Sequence, residues 1–242
     1  MGEVGVLQKT FLDQEETRID RLQSLRAQLR RLEGGSPATG RLRLGFPPID
    51  QALGGGLACG ALHEIAATDN SAAATGFAAL LLGRLSAASG RPVLWMPAGD
   101  LYAPGLPRFG LDPGRLILAD FRKPGTLLRG LEEALRCRGL AGVVAESDAI
   151  DLTESRRLQL AAEAGGVTCL LLRRHPAREA SVAVTRWQVW SATALGRAPR
   201  WRLSLIRCRG GRTGDWVLEG AHEKGGFAVA AAVAHRPAAP AA

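Results

Sequence analysis

The chain has 242 residues, of which 46% are apolar and 22% are charged, and its formal net charge is +8. This length and composition predict one sizeable globular domain. They exclude a membrane span, because no apolar stretch approaches the roughly 18 residues that a span requires. The positive charge favours an anionic partner, such as a nucleic acid or an acidic protein surface.

The cysteines are scattered along the chain and form no CxxC pair; they are Cys59, Cys137, Cys169 and Cys208. No histidine lies at metal-ligand spacing from them, so the spacing predicts reduced thiols rather than a metal site or disulfides. The first residues contain neither the basic nor the apolar run of an export signal. We therefore expect a cytoplasmic protein with no membrane association and no bound metal.

Residues 8–33 have the pattern of an amphipathic helix. Leu22, Leu25 and Leu29 recur at spacings of three and four, which places them on one stripe of the helix, and a Gly-Gly-Ser-Pro run at 34–37 ends it. We assign residues 1–36 to this N-terminal helix. Two roles stay open for it: an arm that docks on a partner, or a helix that folds onto its own domain.

Residues 37–228 form the main domain, in which short apolar runs alternate with helical segments. Strands are predicted over 61–66, 92–96, 115–119, 142–146 and 167–172. Helices are predicted over 77–89, 126–138 and 153–164, with Thr153 as the N-cap of the last one. This alternation is typical of an α/β fold with a mostly parallel central sheet flanked by helices.

The pattern changes after residue 180. Apolar and polar residues alternate with period two over 182–193, 200–208 and 215–219, which predicts a C-terminal antiparallel meander that extends the sheet. The alanine- and proline-rich residues 229–242 are predicted to be a disordered tail.

The segment 63–76 has the layout of a phosphate-binding loop, with a strand before it and a long helix after it. The P-loop pattern is G-x-x-x-x-G-K-[ST]. Here Ala67 and Ala72 occupy the glycine positions and Ala73 occupies the lysine position, and no lysine occurs from residue 11 through residue 122. Without a cation on the transferred phosphoryl group we predict no ATP hydrolysis and no required cofactor. Weak ATP binding stays open, because the helix N-terminus keeps its N–H groups and dipole.

The residues of this vestigial nucleotide site would be Thr68, Asp69, Asn70, Ser71, Ala73, Thr75 and Glu146. Glu146 ends an apolar strand at the place where a P-loop enzyme holds its magnesium-linked carboxylate. The alternative interpretation is a solvated strand end without a metal. No Ser-His-Asp or Cys-His arrangement is present, and His63, inside an apolar strand, is predicted to be a hydrogen-bonded core residue. We therefore assign no catalytic residue.

The segment 173–212 carries ten arginines and one acid, Glu179, a balance of +9. Four of the five tryptophans lie in or beside it. Arginine pairs with phosphates and tryptophan stacks on bases, so the segment predicts a partner or nucleic-acid surface. The alternative is that tryptophans pack under the meander, and we expect at least two of the four to be core residues. The predicted surface comprises Arg186, Trp187, Trp190, Arg200, Trp201, Arg202, Arg207, Arg209 and Arg212.

The segment Ile49–Ile65, IDQALGGGLACGALHEI, resembles the approach to the P-loop in RecA-type recombinases. The resemblance covers roughly residues 40–220 and implies a RecA-like core. The connections 147–152 and 173–180 are too short to form the DNA-binding loops of RecA, so strand exchange is not expected.

Three longer strings resemble the ImuA family of RecA-like accessory proteins, often called SulA-like; they are Leu152–Glu163, Leu171–Arg173 and Arg200–Arg212. This resemblance implies a non-catalytic scaffold of the SOS response, in DNA repair by error-prone translesion synthesis. It implies two protein partners, an inactive Y-family polymerase homologue and an error-prone replicative-type polymerase. Contacts with DNA, with a second copy or with RecA stay open. So do two other functions: a RecA-type protein with residual nucleotide binding, and a SulA-like cell-division inhibitor.

Overall fold

The computed structural model describes residues 40–69, 71–121, 125–174, 181–193, 198–220 and 226–233. The helices within these ranges are α1 (Pro47–Ala52), α2 (Ala73–Ser89), α3 (Thr126–Arg136) and α4 (Leu152–Gly165). The strands are β1 (Arg41–Leu42), β2 (Leu57–Ala58), β3 (Leu62–Ala67), β4 (Val93–Met96), β5 (Leu116–Leu118), β6 (Gly142–Glu146), β7 (Thr168–Arg173), β8 (Thr185–Ser191), β9 (Arg200–Cys208), β10 (Gly214–Gly220) and β11 (Phe227–Val233). The predicted N-terminal helix, Asn70 and residues 234–242 lie outside the described residues.

Nine strands form one sheet in the order β11-β10-β9-β8-β3-β7-β6-β4-β5. The six strands from β8 to β5 are parallel, whereas β9, β10 and β11 continue from β8 as an antiparallel meander. The predicted α/β class, with a mostly parallel sheet and a C-terminal meander, is therefore confirmed. Because the parallel strands share a direction, the carboxyl ends of β3, β4, β6 and β7 meet at one edge of the sheet.

The helices cover both faces of the parallel half. On one face α2 packs against a core that includes Ile65 and Trp187. Twelve of the 17 residues of α2 are buried, which explains why its sequence is apolar on almost every side. On the other face α3 and α4 enclose a second core that includes Leu62 and Cys169.

The ends of two helices differ from the prediction. Helix α2 begins at Ala73, four residues before the predicted start. Helix α4 is capped by Asp151 and not by Thr153: Asp151 Oδ1 accepts a bond of 2.7 Å from the Glu154 backbone N–H, and Glu154 Oε2 accepts one of 3.0 Å from Asp151 N–H. This reciprocal pair satisfies two N–H groups that the first turn of a helix otherwise leaves without partners.

Close packing between α3 and α4 depends on one glycine. A Cβ atom placed on Gly165 would lie 1.9 Å from the carbonyl oxygen of Leu135. The absence of a side chain at Gly165 therefore sets how closely the end of α4 approaches α3.

Strand β11 extends the sheet past residue 228, where the sequence predicted the domain to end. Its residues up to Val233 pair with β10, with a bulge next to Val217. Alanine has a low strand propensity, so the local pattern does not predict a strand there; the hydrogen bonds offered by β10 override it. No helix in the described part of the chain combines the length and apolarity that crossing a bilayer demands.

Candidate functional site

In the loop between β3 and α2, the Asp69 carboxylate accepts hydrogen bonds from the loop and from the end of β8. One carboxylate oxygen of Asp69 accepts hydrogen bonds from the Ser71 N–H and hydroxyl at 3.2 and 2.6 Å. The other accepts bonds from the Ser191 N–H and hydroxyl, both at 2.9 Å. The Ser71 hydroxyl in turn accepts a bond of 3.2 Å from the N–H of Ala73. The N–H groups of Ser71 and Ala73, two donors near the helix N-terminus, are therefore bound to groups of the protein itself.

The same loop is tied to β8. The N–H and hydroxyl of Thr68 both donate to the carbonyl oxygen of Val189, at 3.2 and 3.3 Å. Burial alone would raise the pKa of the Asp69 carboxyl, but the hydrogen bonds from Ser71 and Ser191 outweigh it and lower the pKa. Asp69 is thus held as a carboxylate at neutral pH, and it fixes the loop against the end of β8.

A cavity of about 390 Å³ lies beside this loop at the carboxyl ends of the parallel strands. Five predicted residues belong to this region: Asp69, Ser71, Thr75 and Glu146 line the cavity, and Ala73 begins the adjacent helix with 3% of its surface exposed. The other charged residues of its wall are Asp148, Arg173 and Arg174.

Both oxygens of Glu146 have partners in the protein. One accepts a hydrogen bond of 2.7 Å from the indole N–H of Trp95, and the other accepts a bond of 3.2 Å from the N–H of Ala98. Trp95 is fully buried, so Glu146 supplies a hydrogen-bond acceptor for a donor that water cannot reach. Glu146 therefore positions the end of β4. Within the described ranges no group of three or more His, Cys, Asp or Glu side chains could hold a metal ion.

The charged groups around the cavity have partners within the protein. The Asp69 carboxylate accepts one N–H of the loop, that of Ser71, and one of β8, that of Ser191, and Glu146 and Asp148 add two more carboxylates. Two like unit charges 4 Å apart repel each other by about 4 kcal/mol at an effective dielectric constant of about 20. Arg174 pairs with Asp148 at 3.0 Å in a contact where its side chain is 82% exposed. The buried Arg173 donates to the carbonyl oxygens of Asp148 and Ile150 and is held within the protein.

A buried ionic triad lies beneath the cavity, on the neighbouring strands β7, β3 and β8. The Oε1 atom of Glu64 lies 3.3 Å from Nη2 of Arg173, and its Oε2 atom lies 2.9 Å from Nε of Arg186. The side chains of Glu64, Arg173 and Arg186 are 3%, 6% and 17% exposed. Sequence reasoning missed this triad; the signal was a single acid inside the apolar strand that begins at Leu62.

His63, the next residue to Glu64, is a hydrogen-bonded core residue as predicted. Its Nδ1 lies 2.7 Å from the Thr185 hydroxyl, and its Nε2 lies 2.8 Å from the carbonyl oxygen of Ala58. Burial is the main reason that its pKa is lowered to about 4. Burial also raises the pKa of the Cys169 thiol to about 12, so this cysteine stays protonated at neutral pH.

The tryptophans of the predicted surface divide into core and exterior. Trp187, Trp201 and Trp216 are between 1% and 5% exposed, which confirms that at least two of the four are core residues. Trp187 packs edge-on against Phe77 at 5.3 Å, and Trp201 stacks on Phe227 at 4.5 Å. Placing Trp187 and Trp201 on the partner surface was therefore wrong.

The period-two pattern could have separated these tryptophans. Trp187 and Val189 share one face of β8, whereas Trp190 lies on the other face, opposite Arg202 of β9. The Arg202 guanidinium lies 5.3 Å from the centre of the Trp190 ring, a cation–π contact. Trp190, which is half-buried, and Arg202, which is exposed, therefore form a pair on the outer face of the meander.

The remaining arginines of the predicted surface do not form one patch. Arg186 belongs to the buried triad, and Arg200 lies 3.9 Å from Glu219 and donates to the Thr193 carbonyl. Arg207 and Arg209 donate to the carbonyl oxygens of Ser181 and Val182, where β8 is approached from its amino end. Arg212 lies in the turn between β9 and β10 at that same end of the sheet. The mutual repulsion inferred from the +9 balance is therefore partly relieved inside the protein.

Comparison with known proteins places this chain beside two relatives. No protein-family profile matches it. It is 38% identical to Protein ImuA of Caulobacter vibrioides strain NA1000 / CB15N, in an alignment of 202 residues that covers 74% of this chain and 82% of the relative. The same values hold for Protein ImuA of Caulobacter vibrioides strain ATCC 19089 / CIP 103742 / CB 15.

Proposed function

This chain belongs to the ImuA family, and from that membership we propose that it is a non-catalytic accessory protein of a damage-induced translesion synthesis complex. The proposed role is that of a scaffold, built on a RecA-like core that has given up nucleotide chemistry. Its partners would be the inactive Y-family polymerase homologue and the error-prone replicative-type polymerase that the family resemblance implies. The complex would act in the cytoplasm.

The closed loop carries the non-catalytic part of this proposal. A P-loop enzyme needs free N–H donors for the phosphates and a lysine for the developing charge. Here Asp69 accepts four hydrogen bonds from Ser71 and Ser191, and Ala73 stands at the lysine position. The carboxylates that line the cavity oppose the entry of a polyphosphate. These features favour a structural role for the strand–loop–helix unit.

Nucleotide binding is tested with the full-length protein and isothermal titration calorimetry, using ATP and ADP with magnesium. We expect no heat of binding at millimolar nucleotide and no phosphate release above the buffer rate, with or without single-stranded DNA. The same measurements on the Asp69→Ala variant test whether the hydrogen bonds to Asp69 are what prevents nucleotide binding. Binding by wild type, or hydrolysis that single-stranded DNA stimulates, would overturn the non-catalytic assignment in favour of a RecA-type nucleotide-binding protein.

The scaffold role is tested separately by affinity purification of tagged protein from DNA-damaged cells. We expect both polymerase partners to be recovered. Recovery of neither would refute the role even if nucleotide binding is absent. Cell filamentation on overexpression, without polymerase recovery, would instead support the SulA-like alternative.

A further inference from the structure

The end of the sheet opposite the cavity gathers arginines from three distant parts of the sequence. The turn between β9 and β10 lies against the end of α1: the Arg212 N–H donates to the carbonyl oxygen of Ala52 at 2.7 Å. A Cβ atom placed on Gly54 would lie 3.1 Å from the Gly210 carbonyl oxygen and 3.8 Å from the guanidinium carbon of Arg41. Arg41, from β1, therefore lies beside the turn that carries Arg209 and Arg212.

Helix α2 adds a fourth cation to the same end. The Arg84 guanidinium carbon lies 5.8 Å from the centre of the Phe46 ring, and its Nη1 atom would lie 3.5 Å from a Cβ atom on Gly45. Arg43 is exposed in the short segment between Arg41 and Gly45. We call Arg41, Arg43, Arg84, Arg209 and Arg212 the basic rim.

The charges of the basic rim are held in place without being neutralised. Arg41 donates to the carbonyl oxygens of Leu53 and Gly56, and Arg209 donates to that of Val182, so these guanidinium groups are positioned by uncharged acceptors. The Asp50 carboxylate accepts hydrogen bonds from the N–H groups of Leu44 and Gly45, at 2.7 and 3.0 Å, and not from a rim arginine. Between described residues, no ion pair involves any arginine of the rim.

The chemistry of the rim favours a phosphodiester backbone over a protein surface. Protein interfaces are anchored by buried aromatic or aliphatic side chains. Phe46, the aromatic ring at the rim, is only 2% exposed, and the exposed residues beside it are Pro47, Pro48 and glycines. Such a surface offers no base-stacking platform and no apolar anchor, whereas several fixed guanidinium groups match a row of phosphates. Gly54 and Gly55, which are exposed, would also let a nucleic-acid backbone approach closely.

We propose that the basic rim binds the sugar-phosphate backbone of duplex DNA without sequence preference. The site lies at the amino ends of the parallel strands, opposite the cavity, and it requires neither nucleotide nor a polymerase partner. In the proposed scaffold it would hold the protein on DNA near the synthesis complex. Its test is therefore independent of the tests of the proposed function.

The experiment measures fluorescence anisotropy of a labelled 30-base-pair duplex of arbitrary sequence with the full-length protein between 50 and 200 mM NaCl. The rim variant carries Arg43→Gln, Arg209→Gln and Arg212→Gln. Arg41 is left intact because it holds two backbone carbonyl groups, whereas Arg209 holds one. The control variant, Arg108→Gln, Arg129→Gln and Arg156→Gln, removes the same charge from exposed positions outside the rim. Thermal melting of both variants checks that they fold.

We expect the rim variant to bind at least tenfold more weakly than wild type at 100 mM NaCl, and the control variant to stay within threefold. Each lost phosphate contact should reduce the slope of log affinity against log salt by about 0.9, so three should reduce it by about 2.7. Equal losses in both variants would overturn the proposal, since net charge alone would then explain binding. Unchanged affinity in the rim variant would overturn it as well. Polyglutamate that competes as strongly as DNA, through the same residues, would replace it by an acidic-protein site.

Discussion

Replacing Glu64 by alanine should strongly destabilise the protein. The change leaves the guanidinium groups of Arg173 and Arg186, which lie 3.3 and 2.9 Å from the two carboxylate oxygens, without a counter-charge in a site where the side chains are 6% and 17% exposed. Breaking a buried ion pair by removing one partner costs about 3–5 kcal/mol. That is a large part of the about 5–15 kcal/mol by which a native protein is stable.

Urea unfolding followed by tryptophan fluorescence measures this loss. With a slope of about 2 kcal/mol per molar urea, the midpoint should fall by about 1.5–2.5 M. The control is Glu133→Ala, which breaks the pair with Arg136 at 3.3 Å, where the side chains are 78% and 57% exposed. An exposed pair contributes about 0–1 kcal/mol, so this variant should unfold close to wild type.

A double-mutant cycle separates the ionic contact from packing. Arg186→Ala in the Glu64→Ala background removes one of the two stranded cations, so the double variant should lose less than the sum of the single variants, by about 0.5–3 kcal/mol. Stability of Glu64→Ala within about 1 kcal/mol of wild type, or strict additivity in the cycle, would show that the triad is not the stabilising element that the distances indicate.

Three further outcomes follow from the contacts. The free energy of unfolding should fall by about 1.6 kcal/mol between pH 6.5 and 5, because the unfolded chain takes up a proton that His63, with its folded pKa lowered to about 4, does not. His63→Gln should remove that part of the slope, and an unchanged slope would contradict the assignment. Glu146→Ala should lower the free energy of unfolding by about 1–3 kcal/mol, because it leaves the buried Trp95 N–H without an acceptor. Magnesium should leave the melting temperature of wild type unaltered. If magnesium stabilises wild type but not the variant, Glu146 is a metal ligand instead. Gly165→Ala should lower the free energy of unfolding by at least about 2 kcal/mol, because the added Cβ clashes with α3. In the control, Gly139→Ala, the added Cβ would lie 3.7 Å from the Cys137 sulfur, and the free energy of unfolding should stay within about 0.5 kcal/mol of wild type. Similar melting of the two variants would refute the packing argument.

The parallel half of the fold was predictable from local pattern. Strands such as β6 and β7 are solid apolar runs because helices cover both their faces. In the antiparallel meander, β9 has the predicted bounds, 200–208. Strand β11 was not predictable, because its alanines carry little strand propensity and it forms by pairing with β10.

The sequence predicted where the candidate loop lies but not the hydrogen bonds that hold it. The sequence shows Ala73 at the position that holds lysine in the P-loop pattern, and it shows the loop that precedes α2. What closes that loop is Ser191, which lies 122 residues beyond Asp69, and no local pattern relates the two. Likewise Glu64 meets Arg186 only because β8 returns to pair beside β3. A count of arginines along the chain therefore overestimates the charge that the folded surface presents.

The basic rim could not be predicted from local sequence either, because the fold brings together arginines that are far apart in the chain. Arg41 and Arg43 belong to the lead-in before the loop, Arg84 to a helix that reads as a core element, and Arg209 and Arg212 to a turn. In the sequence these residues are separated by as many as 171 positions, counted from 41 to 212. They come together because β9 ends, and α2 ends, at the same side of the sheet.

The place of β3 in the sheet has a consequence for how the protein is made. Strand β3 contains residues 62–67, yet both of its neighbours, β7 and β8, come from residues 168–191. During synthesis this strand leaves the ribosome more than 100 residues before either neighbour, at about 5–20 residues per second. For several seconds a strand of apolar residues and α2 behind it have no sheet to join, and such non-local pairing is slow and exposes surfaces that aggregate. Expression yield should therefore depend on chaperone supply more than the stability of the finished domain would indicate.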